Sequence, residues 1–234
     1  MPGRKVCLIT GVGPGTGTAL VHSFLRGGYQ VAMIARTEER LRAIADKEKH
    51  AKAYPCDVSD TESLTATLRA ITKEMGPPSI VIHNAVGGAF GTFLEIDAHT
   101  LERNFAINTM ALFHLARLTV PGMIEAGNGV LICTGNTSAY RGKARFAGFA
   151  PTKAAQRILL ESIAREVGPK GVHAAFVAID AVIDVPWTRE HFSDKPDEFF
   201  CQPDDIAEEC FRIAHQNRSA WASEIVIRPF GENW

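Results

Sequence analysis

Short apolar segments alternate with longer helical patterns along this chain, and that alternation constrains the fold more than any other feature. Seven segments rich in β-branched and other apolar residues have the length of strands, and helical periodicity fills the stretches between them. The predicted strands are residues 5–10, 30–35, 51–55, 79–84, 129–134, 172–179 and 224–228. The predicted helices are residues 16–26, 37–49, 60–75, 100–126, 151–167 and 204–215. Apolar strands that alternate with helices predict an α/β fold, in which a doubly wound, seven-stranded parallel sheet lies between two layers of helices.

Composition and charge exclude several classes of function. The 234 residues are 46% apolar, which is enough for one well-filled core, and 25 basic residues nearly balance 26 acidic ones. A net charge of -1 gives no electrostatic basis for binding nucleic acid or an anionic membrane. The five cysteines form no Cys-x-x-Cys pair and the eight histidines are dispersed, so we expect no metal site. No apolar run has the length of a signal or spanning segment, which predicts a cytoplasmic protein without membrane partners.

A glycine-rich turn joins the first predicted strand to the first predicted helix. It reads Thr10-Gly-Val-Gly-Pro-Gly-Thr-Gly17. Glycines at this place allow a tight turn and let the backbone approach a pyrophosphate, which binds at the N-terminus of the helix. Gly11, Gly15, Thr16 and Gly17 are therefore candidate nucleotide-binding residues. The alternative is a glycine loop that serves packing alone.

The spacing of this turn resembles that of the short-chain dehydrogenase/reductase family, and the resemblance runs through nearly the whole chain. The other matching positions are Asp57, Asn84, Asn108, Lys153 and residues 203–207. The resemblance implies a three-layer Rossmann fold that binds a nicotinamide dinucleotide. By the same resemblance, Asp57 lies on the adenine side, Asn84 lies in a cofactor-binding turn, and Lys153 contacts the nicotinamide ribose.

The residues after the second predicted strand bear on which nucleotide binds. An acidic residue there would hold the ribose hydroxyls of NAD and repel a 2′-phosphate. This strand is followed by Arg36 and Thr37, and the first carboxylate is that of Glu38. A guanidinium forms bidentate pairs with phosphate, and a hydroxyl adds a further hydrogen bond. The resemblance therefore favours NADP(H), with Arg36 and Thr37 as its ligands; the alternative is that Arg36 is a solvated charge at a strand end.

The predicted active site departs from the family at both of its acids. In the family, a serine and a tyrosine polarise and protonate the substrate carbonyl, and a lysine follows the tyrosine by four residues. Here Phe149 stands four residues before Lys153, and Asn136 stands at the serine position, with Ser138 two residues later. The resemblance is thus to a divergent subgroup that lacks the catalytic serine and tyrosine. Lys153, Asn108 and Asn136 remain as candidate catalytic residues.

Other side chains could replace the missing acid. Asp180 and Asp184 follow the sixth predicted strand, at the edge where open α/β sheets bind ligands. A buried carboxyl group there could have a raised pKa and donate a proton; capping the next turn is the alternative. Tyr140 is a phenol near the site in sequence, with pocket lining or packing as its alternative role.

Residues 1–234 are predicted to form one NADP-binding domain, in which the irregular residues 182–203 form a short lid over the substrate. The first functional hypothesis is an NADP(H)-dependent oxidoreductase that acts on a small carbonyl or alcohol with a non-standard proton donor. The second is a non-catalytic NADP(H)-binding sensor or scaffold, and the third is a lyase or isomerase on the same fold. The resemblance also implies a homodimer or homotetramer, paired through the helices that carry Asn108 and Lys153.

Overall fold

The computed structural model describes residues 4–231, and residues 1–3 and 232–234 lie outside the described part of the chain. Its strands, in chain order, are β1 Val6–Thr10, β2 Gln30–Ala35, β3 Ala51–Pro55, β4 Pro78–His83, β5 Gly129–Gly135, β6 Val172–Ile179, β7 Val182–Ile183, β8 Phe200–Cys201 and β9 Glu224–Ile227. Its α-helices are α1 Thr16–Arg26, α2 Glu38–Ala45, α3 Thr61–Met75, α4 Ala98–Phe105, α5 Ala111–Glu125, α6 Ala150–Val167, α7 Pro186–His191 and α8 Pro203–Ala214.

Seven strands form one parallel sheet with the spatial order β3-β2-β1-β4-β5-β6-β9. The predicted doubly wound α/β fold with a seven-stranded parallel sheet is thereby confirmed. The direction of strand addition reverses between β1 and β4, and ligands of open α/β sheets bind at such a reversal, beyond the carboxyl ends of the strands. Thr10, the last residue of β1, lies opposite Ile34 of β2 and His83 of β4. The loops that follow these three strands therefore meet at one edge of the sheet.

Helices cover both faces of the sheet because the central strands are apolar on both. Successive side chains of β1 alternate between two buried clusters: Leu8 belongs to one and Ile9 to the other. Apolar residues of α3, α5 and α6 complete the cluster that contains Leu8. Residues of α1, α2 and α8 complete the cluster that contains Ile9. The sheet thus lies between two helical layers, as the alternation of apolar segments predicts.

Two predicted helices differ from those in the structure. Residues 100–126 were expected to form one regular helix, but a π-helical turn, Ala106–Met110, separates α4 from α5. A π-helical turn contains one residue more than an α-helical turn, and the hydrophobic pattern of the sequence does not reveal this difference. The helix predicted over residues 37–49 ends at Ala45, because the residues that follow are charged and offer no apolar face for packing.

Residues 182–203 are more regular than the sequence predicts. The segment contains β7, α7 and β8, and β7 pairs with β8 in a small separate parallel sheet. Pro186 occupies the first turn of α7, where its fixed φ favours helix and its missing N–H costs nothing. The Thr188 hydroxyl accepts a hydrogen bond from the Val185 N–H at 3.1 Å and so stabilises the start of the helix. No local sequence signal other than Pro186 marks this short helix.

Candidate functional site

The glycine turn between β1 and α1 packs tightly against the turn that follows β4. Gly11 has a φ of +72°, and a Cβ atom at this position would lie 2.5 Å from the Ala85 Cα. Gly15 has a φ of +89°, and a Cβ atom there would lie 2.5 Å from Cγ1 of Val185, in the 182–203 segment. A side chain at either position would require the backbone or its neighbour to move. Glycine at these two positions therefore allows the glycine turn, the turn after β4 and the 182–203 segment to pack closely at the sheet edge.

The start of α1 offers unsatisfied hydrogen-bond donors. Thr16, the first residue of the helix, has a buried hydroxyl that has no hydrogen-bond partner within residues 4–231. The first N–H groups of any helix lack intrahelical acceptors, and the helix dipole adds a partial positive charge there. No acidic residue occupies the first turn of α1. This end of the helix is therefore suited to an anionic group such as a phosphate.

A pocket of about 380 Å³ lies at the reversal of strand order and extends to the loop after β2. The predicted cofactor-binding residues that line this pocket are Gly11, Thr16, Gly17, Arg36, Thr37, Asp57 and Asn84. Gly15 contacts Val185 beside the pocket, whereas Lys153, Asn108 and Asn136 are not among the lining residues. Arg40 also lines the pocket, and the sequence analysis missed it. Its spacing of four residues from Arg36, at the start of α2, is the signal that could have identified it.

The loop after β2 places positive charge at one end of the pocket. Arg36 and Arg40 are both exposed, and neither forms an ion pair with a carboxylate in the described residues. The nearby carboxylate of Glu38 pairs instead with Arg42 at 2.5 Å, one helical turn further on. Two guanidinium groups without an ion-pair partner in residues 4–231, at one end of a pocket, are suited to a phosphate group.

Asp57 contributes a negative charge farther along the same pocket. Its Oδ1 accepts hydrogen bonds from the Ser59 N–H and hydroxyl, at 3.0 and 2.7 Å, and its Oδ2 lies 3.5 Å from Arg103. Burial tends to raise the pKa of this carboxyl group, but the bonds from Ser59 and the charges of Arg103 and Arg36 outweigh it and lower the pKa. Asp57 is therefore ionised at neutral pH.

The turn after β4 is fixed by hydrogen bonds of a partly buried asparagine and a buried histidine. Asn84 donates a hydrogen bond from Nδ2 to the Gly11 carbonyl at 2.9 Å and accepts one from the Thr134 hydroxyl at 2.9 Å. His83 is fully buried, with Nδ1 2.9 Å from the Thr10 hydroxyl and Nε2 3.1 Å from the Ile107 carbonyl. Because a carbonyl only accepts, Nε2 carries the proton and Nδ1 accepts from Thr10. Burial, assisted by the charge of Lys153, lowers the pKa of His83 to about 4, so this histidine is neutral.

Asn108 lies in the π-helical turn and is fully buried. Its Nδ2 donates to the Gly87 carbonyl at 2.8 Å and to the Thr152 hydroxyl at 2.7 Å, and its Oδ1 accepts from the Gly87 N–H at 2.9 Å. The π-helical turn thus connects α6 to the loop after β4 through one amide. Every polar atom of the Asn108 side chain has a protein partner, so hydrogen bonds within the protein fix its position.

Lys153 is buried on α6 and is held by protein groups. Its Nζ donates to Gln156 Oε1 at 2.6 Å and lies 3.4 Å from the Thr134 carbonyl. Gln156 Nε2 in turn donates to the backbone carbonyl of Asn108 at 2.6 Å. Burial lowers the pKa of Lys153, and the neighbouring Cys133 opposes this effect. Gln156 therefore links Lys153 and Asn108, two of the three predicted catalytic residues. The sequence analysis missed Gln156 because a glutamine carries no motif of its own.

Phe149 lies one helical turn before Lys153, in an aromatic cluster. It is buried, and its ring centroid lies 5.7 Å from that of Phe90 and 6.5 Å from that of Phe146. Phe90 and Phe146 are themselves in edge-to-face contact at 5.1 Å. The position is thus occupied by apolar packing and offers no proton to a ligand.

The remaining candidate polar groups near β5 have limited chemistry. Asn136 follows β5, and its Oδ1 accepts a hydrogen bond from the Ser138 N–H at 3.1 Å, which caps a short 3₁₀ turn. Burial and the carboxylate of Glu224 raise the pKa of Tyr140 to about 12, so that its phenol is a weak acid. The guanidinium of Arg157 lies 4.9 Å from the Tyr140 ring and pairs with Glu224.

The two carboxylates after β6 differ in their surroundings. Asp180 accepts a hydrogen bond from the Thr137 hydroxyl at 2.6 Å. Asp184 forms two bonds of 2.7 Å with the Arg189 guanidinium and accepts a third from Gln202. The bonds from Arg189 lower the pKa of Asp184 to about 2. Of the two roles considered for Asp184, proton donation through a raised pKa is disfavoured, because its ion pair stabilises the charged form.

Residues 4–231 contain no group of three or more histidine, cysteine or acidic side chains placed to hold a metal ion. No helix in the same range combines the length and the hydrophobicity that crossing a bilayer requires.

The sheet order, the glycine turn and the pocket at the strand reversal define a dinucleotide-binding α/β fold. The family model for short chain dehydrogenases matches residues 5–195, and the protein belongs to this family of oxidoreductases. The chain is similar to an uncharacterized oxidoreductase of Staphylococcus aureus (strain USA300), with 23% identity over 227 residues that cover 96% of this chain and 97% of the relative.

Solved structures agree with this membership. A metagenomic short-chain oxidoreductase in complex with NADP superposes with a TM-score of 0.85 at 25% identity, over 97% of this chain and 98% of the other. An alcohol dehydrogenase from Thermococcus sibiricus, complexed with 5-hydroxy-NADP, has a TM-score of 0.87 at 24% identity and covers 98% of both chains. The second likeness concerns the fold alone.

Proposed function

We propose that the protein is an NADP(H)-dependent oxidoreductase of a divergent subgroup that lacks the catalytic serine and tyrosine. Its substrate is a small carbonyl compound or alcohol, and its proton donor is non-standard. The observation that carries the nucleotide assignment is the pocket in which Arg36, Arg40 and the orphaned Thr16 hydroxyl meet beside the glycine turn. The NADP bound to the metagenomic relative supports the same assignment.

The residues present fit the dinucleotide. Thr16 and the first N–H groups of α1 would hold the pyrophosphate. Arg36, Thr37 and Arg40 would bind the 2′-phosphate, and Asp57 would lie on the adenine side. The nicotinamide, when bound, supplies or accepts a hydride. The contribution of the chain is to bind this group, to exclude water with residues 182–203, and to orient the substrate. Lys153, Asn108 and Asn136 remain the proposed catalytic residues.

Proton supply is the step in which this chain departs from its family. Phe149 has no ionisable proton, Asp184 is already ionised, and Tyr140 has a raised pKa. A substrate with a stabilised anion, or with an acidic group of its own, requires no acid from the protein. Among the protein groups, Asp180 remains the candidate donor, and an Asp180→Asn variant with an unchanged pH–rate profile would eliminate it.

A non-catalytic NADP(H)-binding sensor or scaffold is the second proposal. The observation that favours it is that Lys153 and Asn108 already form hydrogen bonds with protein groups of Gln156, Gly87 and Thr152. A binding protein needs the nucleotide pocket but no polar group free to act on a substrate.

We also propose that residues 1–234 act as one domain, with residues 182–203 as its lid, and that the protein forms a homodimer or homotetramer. Ile183, Val185 and Trp187 of the segment line the nucleotide pocket, which supports the lid. The layer that contains α5 and α6 exposes the apolar side chains of Met110, Leu118 and Ile158. Their exposure supports pairing through these helices. Sedimentation of wild type and Ile158→Glu tests the pairing, since a charge at a paired surface shifts the protein to monomer.

Oxidation of NADPH in the presence of aldehydes, diketones and quinones separates the two proposals. Wild type and Phe149→Tyr are assayed together, and NADPH binding to each is measured by calorimetry. Turnover by the wild type supports the oxidoreductase. NADPH binding with turnover only by Phe149→Tyr supports the sensor or scaffold, because the general acid commonly contributes about 10²–10⁴-fold. Failure of both proteins to bind NADPH contradicts both proposals.

A further inference from the structure

A second cavity lies beside the aromatic cluster of Phe149 and is distinct from the nucleotide pocket. Its volume is about 620 Å³, within the range of small-molecule sites. The loop after β4 forms one wall, with Phe93 and Leu94, and the segment between β5 and α6 forms the other. Ser138 and Tyr140 also line it. Ala150, the residue after Phe149, lines the cavity as well, so a ligand in it would lie beside the position of the family's tyrosine.

The wall formed by the loop after β4 exposes large apolar side chains to solvent. Phe93 is 77% exposed and Leu94 is 82% exposed, and Val86 and Phe90 in the same loop are also exposed. Only Phe93 and Leu94 line this cavity, whereas Val86 lines the nucleotide pocket. Scattered apolar residues on a surface are ordinary, but two adjacent, largely exposed side chains at a cavity wall indicate a binding surface. Water-exposed methylene and ring carbons favour a ligand with an apolar body.

The opposite wall is basic. It carries Arg141, Lys143 and Arg145 within five residues, and no carboxylate lines the cavity in the described part of the chain. Arg145 lies 3.6 Å from Glu95, whereas Arg141 and Lys143 have no ion pair in residues 4–231. Two uncompensated cations therefore face the cavity from this wall.

The two walls are fastened to each other by the backbone. Gly91 donates a hydrogen bond to the Arg145 carbonyl at 2.8 Å and forms a parallel β-bridge with Phe146. Arg145 has a φ of 66°, a left-handed conformation that arginine rarely adopts. Such a conformation persists where the surrounding structure enforces it, often at ligand sites. The apolar and basic walls are thus held at a fixed separation.

We propose that this cavity binds an amphipathic anion, a ligand with an apolar body and a carboxylate head group, and that the substrates are anions of this class that also carry the carbonyl or alcohol that exchanges hydride with the nicotinamide. The inference rests on the proposed oxidoreductase function and specifies its substrate. The apolar body packs on Phe93, Leu94 and Tyr140, and the carboxylate pairs with Arg141 and Lys143. Charge complementarity selects this occupant over a neutral or cationic one of the same length.

Calorimetry with straight-chain ligands tests the proposal. The probes are octanoate, decanoate and dodecanoate, with decanol and decyltrimethylammonium as uncharged and cationic ligands of matched length. We expect the affinity of the carboxylates to rise about threefold to fourfold per methylene. We expect decanoate to bind at least about tenfold more tightly than decanol, because a charge-assisted pair adds to the apolar contact.

A double variant, Arg141→Gln with Lys143→Gln, isolates the head group. It should weaken decanoate about tenfold and bring its affinity to that of decanol. The matched control is Arg69→Gln with Lys73→Gln, which removes the same charge from the exposed face of α3 and should change nothing. Equal weakening by both double variants would mean a general charge effect and would overturn the proposal.

Other outcomes also decide it. Equal binding of decanoate, decanol and decyltrimethylammonium, or binding of none, overturns the proposal. A third result would also overturn it. If the wild type is an oligomer that does not bind decanoate, and the Phe93→Ser, Leu94→Ser variant is a monomer, then the surface is covered by a second copy of the chain. NADPH titration of the same samples keeps the failures apart: intact NADPH binding without decanoate binding refutes this inference alone.

Discussion

At the scale of single residues, the ammonium group of Lys153 is held by the protein. Gln156 links its Nζ to the backbone carbonyl of Asn108 through two hydrogen bonds of 2.6 Å, all within the buried interior. The Gln156 amide accepts a hydrogen bond from Lys153 and donates one to the Asn108 carbonyl. It thus avoids two unpaired buried polar groups, each of which would destabilise the fold. Gln156 thus explains how a lysine without a carboxylate partner is accommodated next to the apolar Phe149 cluster.

Gln156→Leu should destabilise the protein strongly. It leaves the Lys153 ammonium with only the distant Thr134 carbonyl, and the Asn108 carbonyl loses its bond from Gln156. We expect a loss of about 2–6 kcal/mol in the free energy of unfolding, measured in urea, since each of the two unsatisfied buried groups costs about 1–3 kcal/mol. Arg165→Leu, on the exposed face of the same helix, is the control and should change stability by less than about 0.5 kcal/mol. A Gln156→Leu protein as stable as this control would refute the network.

His83 should make stability depend on pH. Its pKa in the fold is about 4, and in the unfolded chain it is about 6.5. Between these two pH values the unfolded state therefore binds more protons than the folded state. The contribution of His83 to the free energy of unfolding is complete above pH 6.5 and is lost as the pH falls towards 4. The difference corresponds to about 3 kcal/mol.

His83→Gln should flatten the dependence of the unfolding free energy on pH between 4 and 6.5, whatever its effect on stability at neutral pH. His191→Gln, on the exposed surface, serves as the control and should keep the wild-type slope. Parallel pH profiles for wild type and His83→Gln would contradict the buried neutral histidine.

At the scale of elements, the sequence predicted the sheet well and the local geometry of the site less well. The predicted bounds of β2 and β6 agree with the structure because these apolar strands are buried on both faces and are bounded by charges or turns. The bounds of β3 also agree, although β3 is an edge strand in which Lys52 and Pro55 are exposed. The π-helical turn around Asn108 left no trace in the sequence, since it changes the register of a helix without changing its apolar character. Arg40 and Gln156 carry no motif, and they enter the site only when the fold brings α2 and α6 to it.

The segment 182–203 depends on one arginine. Arg189 pairs with Asp184 at 2.7 Å and with Asp197 at 2.6 Å, and its guanidinium lies 4.0 Å from the Phe200 ring. Arg189→Ala should therefore loosen the segment without unfolding the sheet. We expect faster amide hydrogen exchange in residues 182–203 and unchanged exchange in β1 and β4.

Arg212→Ala is the matched control, because Arg212 forms a surface pair with Glu209 on α8. It should leave exchange in the segment as in wild type. If Arg189→Ala also left it unchanged, the ion pairs would not be what orders the proposed lid.

At the scale of the whole molecule, the sheet order brings distant parts of the chain to one edge. Thr16 at the start of α1, Arg36 after β2 and Asp57 after β3 line one pocket because their strands are neighbours in the sheet. The sequence could predict this convergence, since the strand ends of a doubly wound sheet meet at the reversal of order. It could not predict that Lys153 is held by Gln156, because that depends on side-chain packing between α6 and the π-helical turn.

Calorimetric titration of NADPH and NADH against wild type and Arg36→Asp tests the central claim most directly, with Arg69→Asp as the control for an added surface charge. The two guanidinium groups of Arg36 and Arg40 should make NADPH bind at least about tenfold more tightly than NADH, because charge-assisted hydrogen bonds contribute about 1.5–3 kcal/mol. Arg36→Asp should abolish this preference, and Arg69→Asp should preserve it. Equal affinity of the wild type for NADPH and NADH, or unchanged NADPH binding by Arg36→Asp, would contradict the account.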